Sequence, residues 1–199
     1  EEGLAAVLKD LQQRPEVVNS KMPGWSLPRR VESRVAPVSL PENSVRSGRQ
    51  VIMVPLPPQE TLLGEPQLLD FVDADIPVEL LQVSTLSWIV RSPAMFTGFM
   101  YAPWIDLDGL HVLDAWAVQT SWSHKLVTFA RPAKLGLGDE IQLHVRADLR
   151  AFPPKYTFNA GVRRAGSTRF LAIWRMTLGQ VEWHGPVRRA ADANHSFCD

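Results

Sequence analysis

A single cysteine, Cys198, stands next to the end of the 199 residues, so no disulfide can close within the chain. That fits a reducing compartment. No stretch of about 18 consecutive apolar residues is present, which leaves no transmembrane helix to predict. Nor is there an excess of either charge: 21 basic side chains balance 21 acidic ones and the sequence pI is about 7.2. A neutral chain lacks the basic footprint of a nucleic-acid binder, so the expected partners are proteins or small molecules. His111, His124, His144, His184 and His195 never pair with another His or a Cys at three- or four-residue spacing, and no local metal signature exists. Ser87, Ser92, Ser121 and Ser123 lack the Gly-x-Ser-x-Gly elbow of a hydrolase. The closeness of Ser121 and His124 in sequence is no triad signal, because nucleophile and base meet through folding. The chain opens Glu1-Glu2-Gly3, with neither a methionine nor a charged-then-apolar leader, and is expected to be a processed or trimmed piece, soluble and intracellular by default.

What is present is enough apolar mass for a core. Hydrophobic residues make up 45% and charged ones 21%, which excludes general disorder and fits one large or two small domains. Sixteen prolines exceed the ~5% of ordinary chains, and seven Trp and eight Phe add bulk, a mixture that favours short strands. Leu4, Val7, Leu8 and Leu11 predict a short N-terminal helix that Pro15 ends. Residues 15–49 carry Pro15, Pro23, Pro28, Pro37 and Pro41 with Arg29, Arg30, Arg34, Arg46 and Arg49, show no period, and read as an extended or wrapping segment. Glu32 and Glu42 dilute its basic character, so those charges are expected to face water.

From residue 50 the pattern becomes strand-like. Val51–Val54, Leu80–Val90, Met95–Tyr101 and Leu110–Val118 are candidates. The clearest alternations set Ile141, Leu143 and Val145 against Gln142, His144 and Arg146, and Tyr156, Phe158, Ala160 and Val162 against Thr157, Asn159 and Gly161. Phe170, Ala172, Trp174 and Met176 give one more. With no amphipathic helix between them, these strands predict a mainly β fold, an antiparallel barrel or sandwich preceded by the short helix and the extended segment. The expected organisation is an arm over 1–49, a barrel over 50–185 and a flexible tail over 186–199. Gly136-Leu137-Gly138-Asp139 lacks the third glycine of a nucleotide loop and precedes a strand pattern, so it reads as a hairpin turn. Asp73 with Asp75, Asp106 with Asp108, and Asp139 with Glu140 read as strand caps or solvated acids. Trp104, Trp116, Trp122, Trp174 and Trp183 would suit a sugar- or base-stacking face, but within strands they read as core. The residues alone display no catalytic apparatus.

Several segments, in order, resemble the C-terminal β-barrel of the protein arginine methyltransferases. Val51–Val54 with Gln59–Pro66 and Leu69-Asp70-Phe71 is similar to that barrel's opening strand, connection and next strand. Phe96–Leu107 resembles the family's strand ending in an aromatic and an acidic residue. Thr120-Ser121-Trp122, leading through Ser123 and His124 to Val127, resembles its Thr-His-Trp loop, and Pro132–Ile141 its glycine-acidic turn into a strand. The resemblance spans roughly residues 50–165.

It implies a barrel that packs on a Rossmann-like domain, helps form the cleft for a protein arginine and contributes to dimerisation. Thr120, Ser121 and Trp122 would face the pocket, Trp122 as a wall for the planar cation. Ser121 stands where many members have His. The glycine motif for S-adenosylmethionine and the paired glutamates belong to the family's other domain and have no counterpart in these residues, so the cofactor is expected only in an absent or partner domain. The expected function is therefore the substrate-recruiting and dimerising part of an arginine methyltransferase-like protein, not catalytic alone. A non-catalytic scaffold that kept the barrel inside a larger complex is the alternative, and an unrelated ligand-binding sandwich the third.

Overall fold

Alternation in sequence becomes inside and outside in space. Ile141, Leu143 and Val145 are buried almost completely, as are Tyr156, Phe158, Ala160 and Val162, while Gln142, His144, Arg146, Thr157 and Asn159 between them reach the surface. The computed structural model describes residues 4–14, 26, 28–41, 52–54, 59–118, 120, 124–151, 154–177 and 180–183. It contains helix α1 (Leu4–Gln12) and eleven strands: β1 (Arg30–Val38), β2 (Ile52–Val54), β3 (Gln67–Asp73), β4 (Leu81–Ile89), β5 (Ala94–Asp106), β6 (Val112–Asp114), β7 (His124–Leu135), β8 (Glu140–Asp148), β9 (Lys155–Arg163), β10 (Phe170–Thr177) and β11 (Gln180–Trp183). All pairings are antiparallel. Sheet A runs β2-β7-β5-β1-β3 with β6 added to β5, and sheet B runs β11-β10-β9-β8-β4. The mainly β, antiparallel architecture with one short N-terminal helix is the one the alternation predicts.

Three local expectations change. Arg30–Val38 is extended, but it is no wrapping arm: β1 lies inside sheet A between β3 and β5, with Val35 in the main core. Its alternation is hidden in sequence because polar residues on its outer face are also buried, Glu32 to 6% exposure. Leu110–Val118 yields only the three residues of β6, after which the chain turns on Asp114. In α1, Ala5 and Leu8 enter the core while Val7 faces water. Gln12 fastens the helix to the β3–β4 connection, donating to the carbonyls of Ala74 (3.0 Å) and Ile76 (2.6 Å) and accepting from the Val78 N–H (3.1 Å). The rest of the expected arm, over 15–25 and 42–51, and the tail lie outside the described residues.

Between the sheets the core is aromatic. Phe129 of β7 stacks on Trp174 of β10 at 4.5 Å between ring centroids, and Phe96 of β5 meets both edge-on at 4.9 and 5.6 Å. Where β3 and β4 face each other, side chains replace a ladder. Gln82 accepts from the Phe71 N–H (3.0 Å) and donates to the Phe71 carbonyl (2.6 Å), and Ser84 and Gln67 donate to the carbonyls of Leu69 and Ser87 (2.8 Å each).

The β7–β8 connection is a tight turn, with Gly138 at φ +81°, but not the expected hairpin, because β7 belongs to sheet A and β8 to sheet B and the two strands do not pair. Asp139 is a buried staple there rather than a solvated acid. It accepts from the N–H of Gly136 (2.8 Å) and of Ala165 (3.1 Å) and from the Arg164 guanidinium (2.6 Å), tying this turn to the β9–β10 turn. Burial alone would raise its pKa, but these donors together hold it below the usual carboxylate value. Asp73, Asp106 and Asp108 cap turns, accepting from the N–H groups of Asp75, Gly109 and Leu110.

A Cβ at Gly98 would collide with the Val127 carbonyl and lie 2.9 Å from the Thr128 Cα, backbone that cannot step aside where β5 slips register against β7. Gly98→Ala is expected to cost about 3 kcal/mol or more, the scale of overpacking a core. Gly166→Ala, at φ +71° in open space, should cost only about 1 kcal/mol from backbone strain. Urea unfolding of the two variants measures the contrast.

Candidate functional site

The outer face of sheet A carries the polar chemistry. Arg30, Glu32 and Arg34 share one face of β1, and both guanidiniums grip the buried Glu32, at 2.9 Å from Arg30 and 2.7 Å from Arg34. Arg30 lies over the Phe71 ring and Arg34 over the Trp104 ring, at 4.7 and 4.6 Å. Arg29 binds Asp75 at 2.6 Å. Arg29, Arg30 and Arg34 are thus satisfied within the chain rather than left to water alone; Arg46, Arg49 and Glu42 lie outside the described residues.

Further along this face a second, small apolar cluster forms from Val38, Met100 and Leu126, packed by Leu40, Leu62 and Trp116. Trp116 sits on the turn after β6, where Asp114 accepts from its N–H at 2.9 Å. Its indole meets the ring of His124, the first residue of β7, edge-on at 5.1 Å. His124 is 2% exposed. Burial lowers its pKa, outweighing the Ala115 carbonyl and Asp114 carboxylate that favour the cation, so the ring is neutral at pH 7.

Trp116 also lines a cleft of about 720 Å³, together with Arg34, Glu60, Glu65, Arg91 and Asp114. Four chain segments wall it: β1 and the residue after it, through Arg34 and Ser39, the stretch from Gln59 to Pro66, the β4–β5 turn and the turn after β6. Gly64 brings the second of these close, since any Cβ there would run into the Trp88 indole. Carboxylates, guanidiniums and an indole in a space of this size suit charged peptide side chains. No group of His, Cys, Asp or Glu that could hold a metal occurs among the described residues, and no described helix is long and apolar enough to cross a membrane.

Of the pocket residues expected from sequence, Thr120 is half-buried, between the turn that carries Trp116 and the start of β7. Ser121 and Trp122 lie outside the described residues. Sequence reasoning missed Glu32, which it read as a diluting surface charge, and His124, which carries no motif. Period-two spacing of Arg30, Glu32 and Arg34 is the one signal that would have found the ladder.

No family model and no curated protein matches the sequence. Solved structures do. Arabidopsis thaliana protein arginine methyltransferase 10, in an open conformation, matches 76% of this chain at 11% identity with a TM-score of 0.58. The Trypanosoma brucei PRMT1 enzyme–prozyme heterotetrameric complex with AdoHcy matches 78% at 13% identity, also with a TM-score of 0.58. The matches span 60% and 59% of those longer chains. The chain therefore shares its fold with part of each protein.

Glu32→Gln keeps the shape but takes the shared carboxylate from two half-buried guanidiniums, leaving Arg30 only the Asp73 carboxylate at 3.4 Å. It is expected to cost about 2 kcal/mol, read from denaturant midpoints.

Proposed function

We propose that this chain is the β-barrel portion of a protein arginine N-methyltransferase-like protein, recruiting substrate and supporting dimerisation, with S-adenosylmethionine held by another domain or a partner. The observation that carries the reading is the fold shared with two arginine methyltransferase structures over three quarters of the chain. The order of the sequence segments supports it independently, with Thr120-Ser121-Trp122 resembling the family's pocket loop. In this reading the barrel positions a peptide rather than performing chemistry. Trp122 supplies a flat wall for a guanidinium, Thr120 and Ser121 supply hydroxyls, and the nearby cleft takes neighbouring charged side chains of the peptide. That the Trypanosoma brucei protein assembles with a prozyme supports a protein partner or oligomer for this chain as well.

Calorimetry tests the division of labour. The 199-residue chain alone is expected to give no heat with S-adenosylmethionine, and a complex with its copurifying partner is expected to bind it. Binding by the chain alone overturns the proposal, and silence in both moves the assignment to the scaffold. In a reconstituted enzyme, Trp122→Ala should raise KM for an arginine peptide about tenfold, the scale of a desolvated cation–π contact, while the isolated barrel stays folded. An unfolded variant would make Trp122 a core residue instead.

A further inference from the structure

Buried polar groups in folded proteins are nearly always hydrogen-bonded, so a cluster of exceptions asks for a reason. One such cluster lies at the back of the cleft. The Trp116 Nε1 and both ring nitrogens of His124 are buried without a well-formed hydrogen bond, the Ala115 carbonyl being the backbone acceptor that acts on the imidazole, and the two rings touch each other. Packing alone would be served better by an apolar residue at position 124, since a neutral imidazole loses its water there and gains little in return.

We infer that His124 is a positioning residue for the cleft, a pH-sensitive clamp whose neutral ring holds Trp116 and the Asp114–Val118 turn against sheet A and whose protonation releases them. The turn is lightly built. Asp114 caps it through the Trp116 N–H, and the Asp114 carbonyl accepts from the N–H groups of Ala117 and Val118 at 3.1 Å each. β6 binds β5 through three residues only, Val112 to Asp114. The indole of Trp116, seated on Met100 and Leu126 with its edge contact to His124, is therefore a principal anchor.

Charge on His124 works against this seat by placing a cation in an apolar pocket, a cost that the Asp114 carboxylate and the Ala115 carbonyl offset only in part. Among the described residues Asp114 is the charged group that acts on His124. Lys125, the next residue, points to the opposite face of β7, with its ammonium 5.6 Å from the Tyr101 ring. The sign follows from the lowered pKa. Between the folded and the unfolded value the released state takes up more protons, so the clamp is intact at neutral pH and weakens as pH falls below the ordinary histidine value. Because Trp116 and Asp114 both line the cleft, release removes one of its walls.

The test is amide hydrogen exchange on the full chain at pH 7.5 and pH 5.5, corrected for intrinsic rates and measured for wild type, His124→Phe and His124→Gln. The probes are the amides of Ala115, Trp116, Ala117 and Val118, with Leu143 and Val145 of β8 as references. In the wild type the four probes should lose more than about fivefold protection at the lower pH relative to the references. Neither non-titrating variant should show that loss. His124→Gln serves if His124→Phe does not fold. A flat wild type, or the same loss in a folded variant, overturns the proposal. The readout needs no peptide and no cofactor, so it stands apart from the methyltransferase reading, on which only the effect of the clamp on substrate depends.

Discussion

The stacking of Trp174 on Phe129 is the contact on which the relation of the two sheets depends. Phe129 belongs to β7 in sheet A and Trp174 to β10 in sheet B, and neither side chain is more than 1% exposed. Phe96 closes the gap between them edge-on, and Phe99 extends the cluster to Trp88 of β4. Offset and edge-on aromatic pairs are directional in a way that aliphatic packing is not. They set not only that the sheets meet but at what offset. The indole N–H of Trp174 adds a polar pin, donating to the Arg131 carbonyl of β7 at 3.3 Å. Everything on the far side of sheet A inherits its position from this contact, including the cleft.

Sheet A is buried on both faces for part of its width. Its inner face meets the aromatic core, and its outer face holds the Glu32 ladder and the small cluster around Met100. A strand buried on both sides normally reads as a continuous apolar run. Here β1 achieves the same with charge, because two guanidiniums and two aromatic rings enclose one carboxylate. The cleft opens where that ladder gives way to the second cluster, and Arg34 belongs to both.

What the sequence made legible follows from this difference. β8, β9 and the late part of β4 alternate cleanly because one face meets the core and the other meets water, and each was readable from period two. That residues 136–139 turn was readable from the glycines and the strand pattern after them, but not that the turn carries the chain from sheet A to sheet B instead of closing a hairpin. β1 was not, since Arg30, Glu32 and Arg34 look solvated until the neighbouring Phe71 and Trp104 are in place, and those arrive from strands distant in sequence. The site was legible only as a resemblance around Thr120. Trp116 and His124 are eight residues apart across a turn, and no local rule announces that their rings will meet.

The junction between β3 and β4 joins side-chain amides and a hydroxyl to main chain rather than main chain to main chain. A backbone ladder is indifferent to which residues form it. A junction written in Gln67, Gln82 and Ser84 is spelled out letter by letter. Each bond contributes on the order of 1 kcal/mol. A substitution at any of the three therefore removes a bond across this edge, whereas in a ladder it would leave the main-chain bonds in place.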